Sequence, residues 1–435
     1  MAKNSNSKRL LVAFGLSFLV KSKGRGNLLE DIQMKNLILG CAFLFVAIPC
    51  QARVITVDDN DPADFNNIQA AINDANNGDA VVVAAGTYYE NINFLGKNIT
   101  LTSTDPTNKD IINSTIIDGT NMNSVVIFSG TESSSCVLSG FTITNGMAAY
   151  GGGIYGNGTM ATIENNTICG NTGRGGGNLG DYGAGGGLLH CDGLIQNNII
   201  TGNSAGFGGG LDHCDGVIRN NIISDNGWYA GGGLFGCDGT ISNNLLVANG
   251  AVYGGALAVC KGSIRNCTLV GNGAAYGSGL LWCNATISNC IIWQNGVGEK
   301  PQIESCSTPT YSCIEHWDGG GIGNISLDPC FADPCNGDYH LQSQAGRWDA
   351  DEGRWMKDEV TSPCIDAGDP ASPIGLEPFP NGGIINMGAY GGTVEASKSY
   401  FGEPVCGTIV AGDINGDCIV NLKDFAIFAE NWLWQ

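Results

Sequence analysis

The sequence is poor in basic residues. Lys and Arg total 20 against 41 Asp and Glu, which gives a net charge of −21 over 435 residues. Nucleic acids and anionic membrane surfaces are bound through basic patches, so this balance argues against both as partners. It also argues against tight binding of polyuronates unless calcium bridges the charges.

Long hydrophobic runs are lacking too. The apolar stretches at residues 10–20 and 37–48 are shorter than the roughly 18 residues that a membrane-spanning helix needs, so we predict no membrane span in the mature chain. The second stretch follows Met34 and Lys35 and ends near a small-residue site at Ala52. This pattern is typical of an export signal cleaved after Ala52, and it predicts a secreted or cell-surface protein.

What the chain does have is a repeat. Between residues 185 and 295 a 23-residue unit is written five times, beginning with GGGLLHCDGLIQNNIITGN and GGGLDHCDGVIRNNIISDN. Short β-type runs alternate with Asp-Gly, Asn-Asn and Gly-rich turns, and Gly reaches 67 residues, about twice the usual share. Stacked units of this size predict the coils of a parallel β-helix, with three short strands and three turns per coil.

Equivalent side chains of stacked coils lie about 4.8 Å apart, so the repeat predicts ladders. Three apolar ladders are expected: Leu188, Leu211, Leu234, Leu257 and Leu280; Ile195, Ile218, Ile241, Ile264 and Ile287; and Ile200, Ile223, Leu246, Leu269 and Ile292. Asn198, Asn221 and Asn244 are expected at a tight corner, with positive φ and amides bonded along the stack. The residues from 172 to 184 are expected to loop out.

The repeat resembles the right-handed parallel β-helix family of pectin-lyase-like proteins. Residues 67–75, followed by 78–83 and 86–88, look like the capping helix and first strand that open many such folds. The resemblance implies an all-β, right-handed solenoid with a short N-terminal capping helix. Later segments at 324–329, 336–341, 362–370 and 387–392 look like its terminal coils and cap, while 344–359 is expected to form an exposed loop.

Ionisable residues cluster around the repeated Cys. Asp192, Asp215 and Asp238 share one column, His190 and His213 share another, and Asp212 is adjacent. In pectin-lyase-like enzymes neighbouring coils supply such groups as acid, base or calcium ligands, which makes these six residues candidates for catalysis. The alternative is that Asp-Gly is a turn dipeptide repeated with the coil. No complete lyase signature is present.

The cysteines raise a separate question. The chain has 18, of which two leave with the predicted signal, and an exported protein is expected to pair some of the rest. For the ladder of repeated Cys we expect buried thiols, because parallel side chains fit disulfide geometry poorly. Zinc is not expected, since no Cys-x-x-Cys occurs.

A 12-residue calcium motif closes the chain. Oxygen-bearing side chains occupy positions 1, 3, 5, 9 and 12, with a backbone carbonyl at 7, and an apolar helical stripe follows. The predicted Ca²⁺ ligands are Asp413, Asn415, Asp417, Ile419, Asn421 and Asp424.

This segment resembles one half of a type I dockerin, although that family has two such units and carries Gly where Cys418 stands, a residue that could pair with Cys406. The resemblance implies a cohesin-like partner, and the alternative is a sorting or surface-attachment tag.

These features predict five regions. Residues 1–33 are an upstream extension or a mis-assigned start, 34–52 the signal peptide, 53–395 the β-helix with its terminal cap, 396–408 a linker and 409–435 the dockerin-like segment. The predicted function is action on, or binding of, extracellular polysaccharide. A polysaccharide lyase or glycoside hydrolase and a non-catalytic adhesive or structural protein both fit the sequence.

Overall fold

The computed structural model describes residues 52–60, 62–175, 182–296, 301–402, 412–414 and 418–432. All belong to a compact unit that begins at Ala52. It is an all-β, right-handed solenoid of about 11 coils with about 23 residues per turn, which confirms the solenoid part of the predicted fold class. The predicted signal peptide and upstream extension lie outside the described residues.

Four parallel sheets, here named A to D, form the solenoid. Sheet A contains Val54–Val57, Ala80–Val83, Thr100–Ser103, Val137–Ser139, Thr162–Glu164, Leu194–Gln196, Val217–Arg219, Thr240–Ser242, Ser263–Arg265 and Thr286–Ser288. Sheet B contains Gly86–Tyr89, Thr115–Asp118, Thr142–Thr144, Thr167–Cys169, Ile199–Thr201, Ile222–Ser224, Leu245–Val247, Thr268–Val270, Ile291–Trp293 and Cys313–Ile314. Sheet C contains Ile92–Asn93, Val126–Ile127, Ile154–Thr159, Leu188–Cys191, Leu211–Asp212, Leu234–Phe235, Leu257–Ala258, Leu280–Leu281 and Ile303–Glu304.

Sheet D is the strand set that the three-strand prediction missed. Its strands are Met147–Ala148, Thr172–Gly173, Ser204–Phe207, Gly227–Ala230, Gly250–Tyr253 and Gly273–Tyr276. These strands consist mainly of Gly, Ala and aromatic residues, so they carry no aliphatic run to mark them. Thr172–Gly173 belongs to this sheet, which corrects the prediction that the excursion begins there.

The apolar ladders are confirmed. Leu188 pairs in register with Leu211, Ile195 with Ile218, and Ile200 with Ile223, and the pairing repeats coil after coil. All the ladder residues are almost completely buried. A slip of one residue would turn each of these side chains to the outside, so burial fixes the register of the stack.

Two ladders of buried Asn line the corners beside sheet B. Asn198, Asn221 and Asn244 belong to the first, and Asn203, Asn226, Asn249, Asn272 and Asn295 to the second. The predicted bonding is confirmed, because Asn198 Nδ2 donates to Asn221 Oδ1 at 3.0 Å. The positive φ that was predicted for these ladder residues occurs one position earlier. Asn220, for example, which precedes Asn221, has φ 54°. The turn residue points outward and the next Asn points in.

Three α-helices accompany the strands in the described part of the chain: α1 at Ile68–Asp74, α2 at Lys109–Ser114 and α3 at Leu422–Trp432. α1 starts after Asn67, whose side chain accepts a bond from the Ala70 N–H, and it buries Ile68 and Ile72 in the core. The first strand is Val54–Val57, which pairs with Ala80–Val83 and precedes the predicted one. No helix of the described residues is long and apolar enough to cross a membrane.

The closing segment returns to earlier coils. Asn243 Nδ2 donates to the Ala389 carbonyl at 3.0 Å, across 146 residues of sequence, and the Ala389 N–H donates to Thr268 Oγ1 at 2.9 Å. Its regular elements are two antiparallel pairs and a 3-10 turn: Phe331–Asp333 with Asp338–Leu341, Arg347–Asp349 with Arg354–Met356, and Pro334–Asn336. The second pair lies within the expected loop at 344–359, so that loop contains a hairpin.

Candidate functional site

The six predicted catalytic residues form two neighbouring groups. His190 and His213 sit at the corner between sheets C and A, where both backbones have positive φ of 49° and 44°. Their rings are exposed and lie 5.5 Å apart between centroids. The structure therefore places the His column on the outside of the solenoid, where it is available to a ligand.

His213 and Asp212 make a dyad. His213 Nδ1 lies 2.5 Å from Asp212 Oδ1, and the carboxylate is 3% exposed while the imidazole is 48% exposed. This bond raises the pKa of His213 above its usual value, against the lowering effect of its partial burial. The buried acid fixes the ring through Nδ1, so Nε2 is the nitrogen left for chemistry. Gly236 in the next coil leaves space beside the His213 ring. A Cβ at this position would lie 2.9 Å from Nε2 and would crowd it.

The Asp column joins coil to coil. Asp192 Oδ1 accepts the Asp215 N–H at 3.1 Å, and Asp215 Oδ1 accepts the Asp238 N–H at 2.9 Å. Asp238 Oδ1 in turn accepts the Lys261 N–H, and its Oδ2 lies 3.1 Å from Lys261 Nζ. These bonds are those of a repeated turn, the alternative that the Asp-Gly dipeptide suggested.

Beside the dyad runs a feature absent from the predictions, a continuous row of aromatic side chains. The aromatic row consists of Tyr182, Phe207, Tyr229, Phe235, Tyr253, Tyr276 and Trp282. Neighbouring ring centroids lie 4.6 Å apart for Tyr182 and Tyr229, 5.2 Å for Tyr253 and Tyr276, and 6.0 Å for Tyr253 and Trp282. The row crosses successive coils along the axis of stacking.

The row is open to solvent and connects to the dyad. Tyr182 is 45% exposed, and Tyr276 and Trp282 are each 51% exposed. Phe235 lies 5.8 Å from the His213 ring, so aromatic rings and the dyad share one surface. A sequence signal existed in the 23-residue step between Tyr253 and Tyr276. Phe207 belongs to the same column, with Ala230 between it and Tyr253, whereas the remaining rings lie in other columns.

The described part of the calcium loop closes on itself. Asp424 Oδ1 accepts the Ile414 N–H at 2.8 Å, Asp424 Oδ2 accepts the Asn421 N–H at 2.7 Å, and Asp413 Oδ2 accepts the Cys418 N–H at 2.7 Å. Both carboxylates are buried.

These bonds hold loop position 12 against position 2, and buried carboxylates of this kind suit a hard cation. Asn415 and Asp417 lie outside the described residues. Among the residues described, no group of three His, Cys, Asp or Glu side chains forms a metal cluster.

The cysteine prediction is confirmed for the ladder. Cys191, Cys214, Cys237, Cys260 and Cys283 are buried free thiols. Burial raises the pKa of Cys191 and Cys237 well above the usual value, which keeps these thiols protonated. Cys418 is in a disulfide, and Cys406, its predicted partner, lies outside the described residues.

The fold and the repeat define the class of this protein as a right-handed β-solenoid. Residues 152–322 match the family model described as "Right handed beta helix region", and residues 282–368 match one described as "Disaggregatase related". No match was found among curated proteins or among solved structures.

Proposed function

We propose that this protein binds extracellular polysaccharide along the aromatic row. The row is the observation that carries the proposal. Aromatic rings offer flat, rigid apolar area with polar tips, and the C–H faces of sugar rings stack on such surfaces. Because the rings follow one another over several coils, the surface suits a long chain rather than a single sugar.

Charge narrows the ligand class. The dyad places the Asp212 carboxylate beside the row, and the whole chain carries a net charge of −21. A polyanion would be repelled there, so the favoured ligand is a neutral polysaccharide.

The test is a substitution in the middle of the row. Tyr253 contacts Tyr229, Tyr276 and Trp282, so Tyr253→Ala separates the two ends of the row. Affinity electrophoresis in a panel of neutral and acidic polysaccharides should show a neutral ligand whose affinity falls at least tenfold, about 1.4 kcal/mol. Tyr89→Ala is the matched control, since Tyr89 is 70% exposed on sheet B, away from the row. Equal retention of both variants would contradict the proposal.

Cleavage of the bound chain is the second candidate, and the dyad favours it. An exposed imidazole oriented by a buried carboxylate is suited to move a proton at Nε2. Reducing ends formed together with ultraviolet absorbance would indicate a lyase, and reducing ends alone a hydrolase. His213→Ala should abolish product while leaving binding to the row intact. If no sugar yields a product but binding persists, the protein is an adhesive or structural binder.

For the C-terminal segment we propose Ca²⁺ binding and attachment to a cohesin-like or surface partner. For residues 34–52 we propose a role as an export signal. The loop closure by Asp424 and the buried Asp413 support the first. Calorimetric titration of Ca²⁺ into the full chain tests it, and Asp424→Ala should remove the binding. Peptide sequencing of the secreted form would test cleavage after Ala52.

A further inference from the structure

A second concave surface lies on sheet B, beside its corner with sheet A. Two cavities of about 450 and 480 Å³ share Lys109, Asn197, Asn220, Ile222 and Glu395, so they form one groove. The groove passes the turn residues Asn165, Asn197, Asn220 and Asn243 of four successive coils, so it is three coil steps or about 14 Å long. No residue of the aromatic row lines it.

The floor of the groove alternates amides with apolar side chains. Asn197 and Asn220 are exposed turn residues with positive φ, and their side chains make no hydrogen bond within the described residues. Ile199 and Ile222 beside them are 37% and 43% exposed. The closing segment supplies a wall with Tyr390 and Glu395, and α2 supplies another with Lys109.

Behind that wall is a buried polar chain. Arg347 Nη1 lies 3.0 Å from Asp338 Oδ2, and Asp338 Oδ1 lies 2.7 Å from His340 Nδ1. The His340 side chain is 3% exposed and stacks on Tyr390 with centroids 3.6 Å apart. Such a chain fixes the imidazole in place.

His340 lines the groove, but its Nε2 is itself buried and has no hydrogen-bond partner within 3.5 Å among the described residues. Glu395 Oε2 is 3.6 Å away on a side chain that is 42% exposed. Burial lowers the pKa of His340, but Asp338 and Glu395 outweigh it and raise the pKa above the usual value. The buried imidazole therefore pairs with a carboxylate that reaches the groove.

We propose that this groove is a second saccharide site, which binds a short neutral oligosaccharide. Sugar hydroxyls donate to Glu395, which the His340 ion pair holds in place, while the Asn amides bond further hydroxyls and the isoleucines cover the apolar ring faces. Lys109 and Glu395 balance each other in charge, which favours an uncharged ligand. The inference stands on residues separate from the aromatic row and does not depend on it.

The test is calorimetric titration of the full chain with neutral hexaoses (cello-, xylo-, manno- and malto-hexaose), with hexagalacturonate and a hexapeptide as competing classes. Glu395→Gln and Asn220→Gly should each weaken binding of a neutral hexaose at least tenfold. Glycine suits the positive φ at Asn220, so the second variant preserves the fold. Asn121→Gly makes the same change at an exposed residue with φ 57°, outside the groove, and should bind normally.

The variant Tyr253→Ala distinguishes binding at the groove from binding at the aromatic row. Groove binding should survive this substitution, and polysaccharide binding to the row should survive Glu395→Gln. The groove proposal is overturned if no neutral hexaose binds, if binding is lost in Tyr253→Ala but not in Glu395→Gln, or if only the peptide or the acidic sugar binds.

Discussion

Replacing Asn226 by Ala should cost more than an ordinary surface or polar substitution. Asn226 Oδ1 accepts hydrogen bonds from the backbone N–H and from the side-chain Nδ2 of Asn203, each at 3.0 Å. Asn226 Nδ2 donates to the Ile200 carbonyl at 2.8 Å and to Asn249 Oδ1 at 3.1 Å. All of these groups belong to the buried ladder, where no solvent replaces the lost partner.

The magnitude follows from the groups left without a partner. Alanine removes the acceptor of two buried N–H groups of Asn203, and each unsatisfied buried group costs about 1–3 kcal/mol. The expected loss is therefore about 2–6 kcal/mol, a large share of the stability of an ordinary domain.

Urea unfolding followed by circular dichroism measures the loss, and hydrogen exchange at the flanking coils locates it. Asn73→Ala, at an exposed Asn of α1, is the control and should change stability by less than about 0.5 kcal/mol. A loss below about 1 kcal/mol for Asn226→Ala would refute the idea that the ladder bonds hold the coils together.

Three further predictions concern titration and calcium. The pKa of His213 is raised by Asp212, so the dyad stabilises the fold below the unfolded pKa of about 6.5 and loses this effect as pH rises through the folded value. Asp212→Asn should lower the His213 pKa in an NMR titration, and an unchanged pKa would exclude the dyad. The pKa of buried Asp79 is lowered to about 2 by the Asn76 and Arg53 N–H groups. Its stabilisation is present above pH 4 and disappears as pH falls through about 2; Asp79→Asn should therefore weaken urea resistance at pH 7 and hardly at pH 2, and equal losses at both would contradict this. Asp413→Ala should abolish calorimetric Ca²⁺ binding, while retained affinity would place the ion elsewhere.

The stack could be predicted because its information is local and repeated. Ile195, Ile218 and Ile241 recur every 23 residues, and burial of such a column leaves one register. The fourth strand could not be predicted, since sheet D is held by its neighbours and not by an aliphatic pattern of its own. A strand such as Gly250–Tyr253 is read more readily as a turn.

The site was predictable only in part. The His column and Asp212 were found because they repeat beside Cys, and the structure brings His213 and Asp212 together. The groove was out of reach because it joins residues such as Asn220 and Glu395, which no period relates. Only the return of the closing segment onto earlier coils creates that contact.

The second Asn ladder also has a direction. Each Asn accepts from the coil before it and donates to the one after it, until Gln302 Oε1 accepts from Asn295 and ends the series. Every coil therefore presents the same pair of interfaces. Whole coils could be duplicated or deleted without leaving an unmatched bond in this ladder, so the length of the ladder can change in whole coils. Each added coil lengthens the solenoid by about 4.8 Å and repeats the same hydrogen bonds. Changing the number of coils is therefore a way to match such a solenoid to ligands of different length.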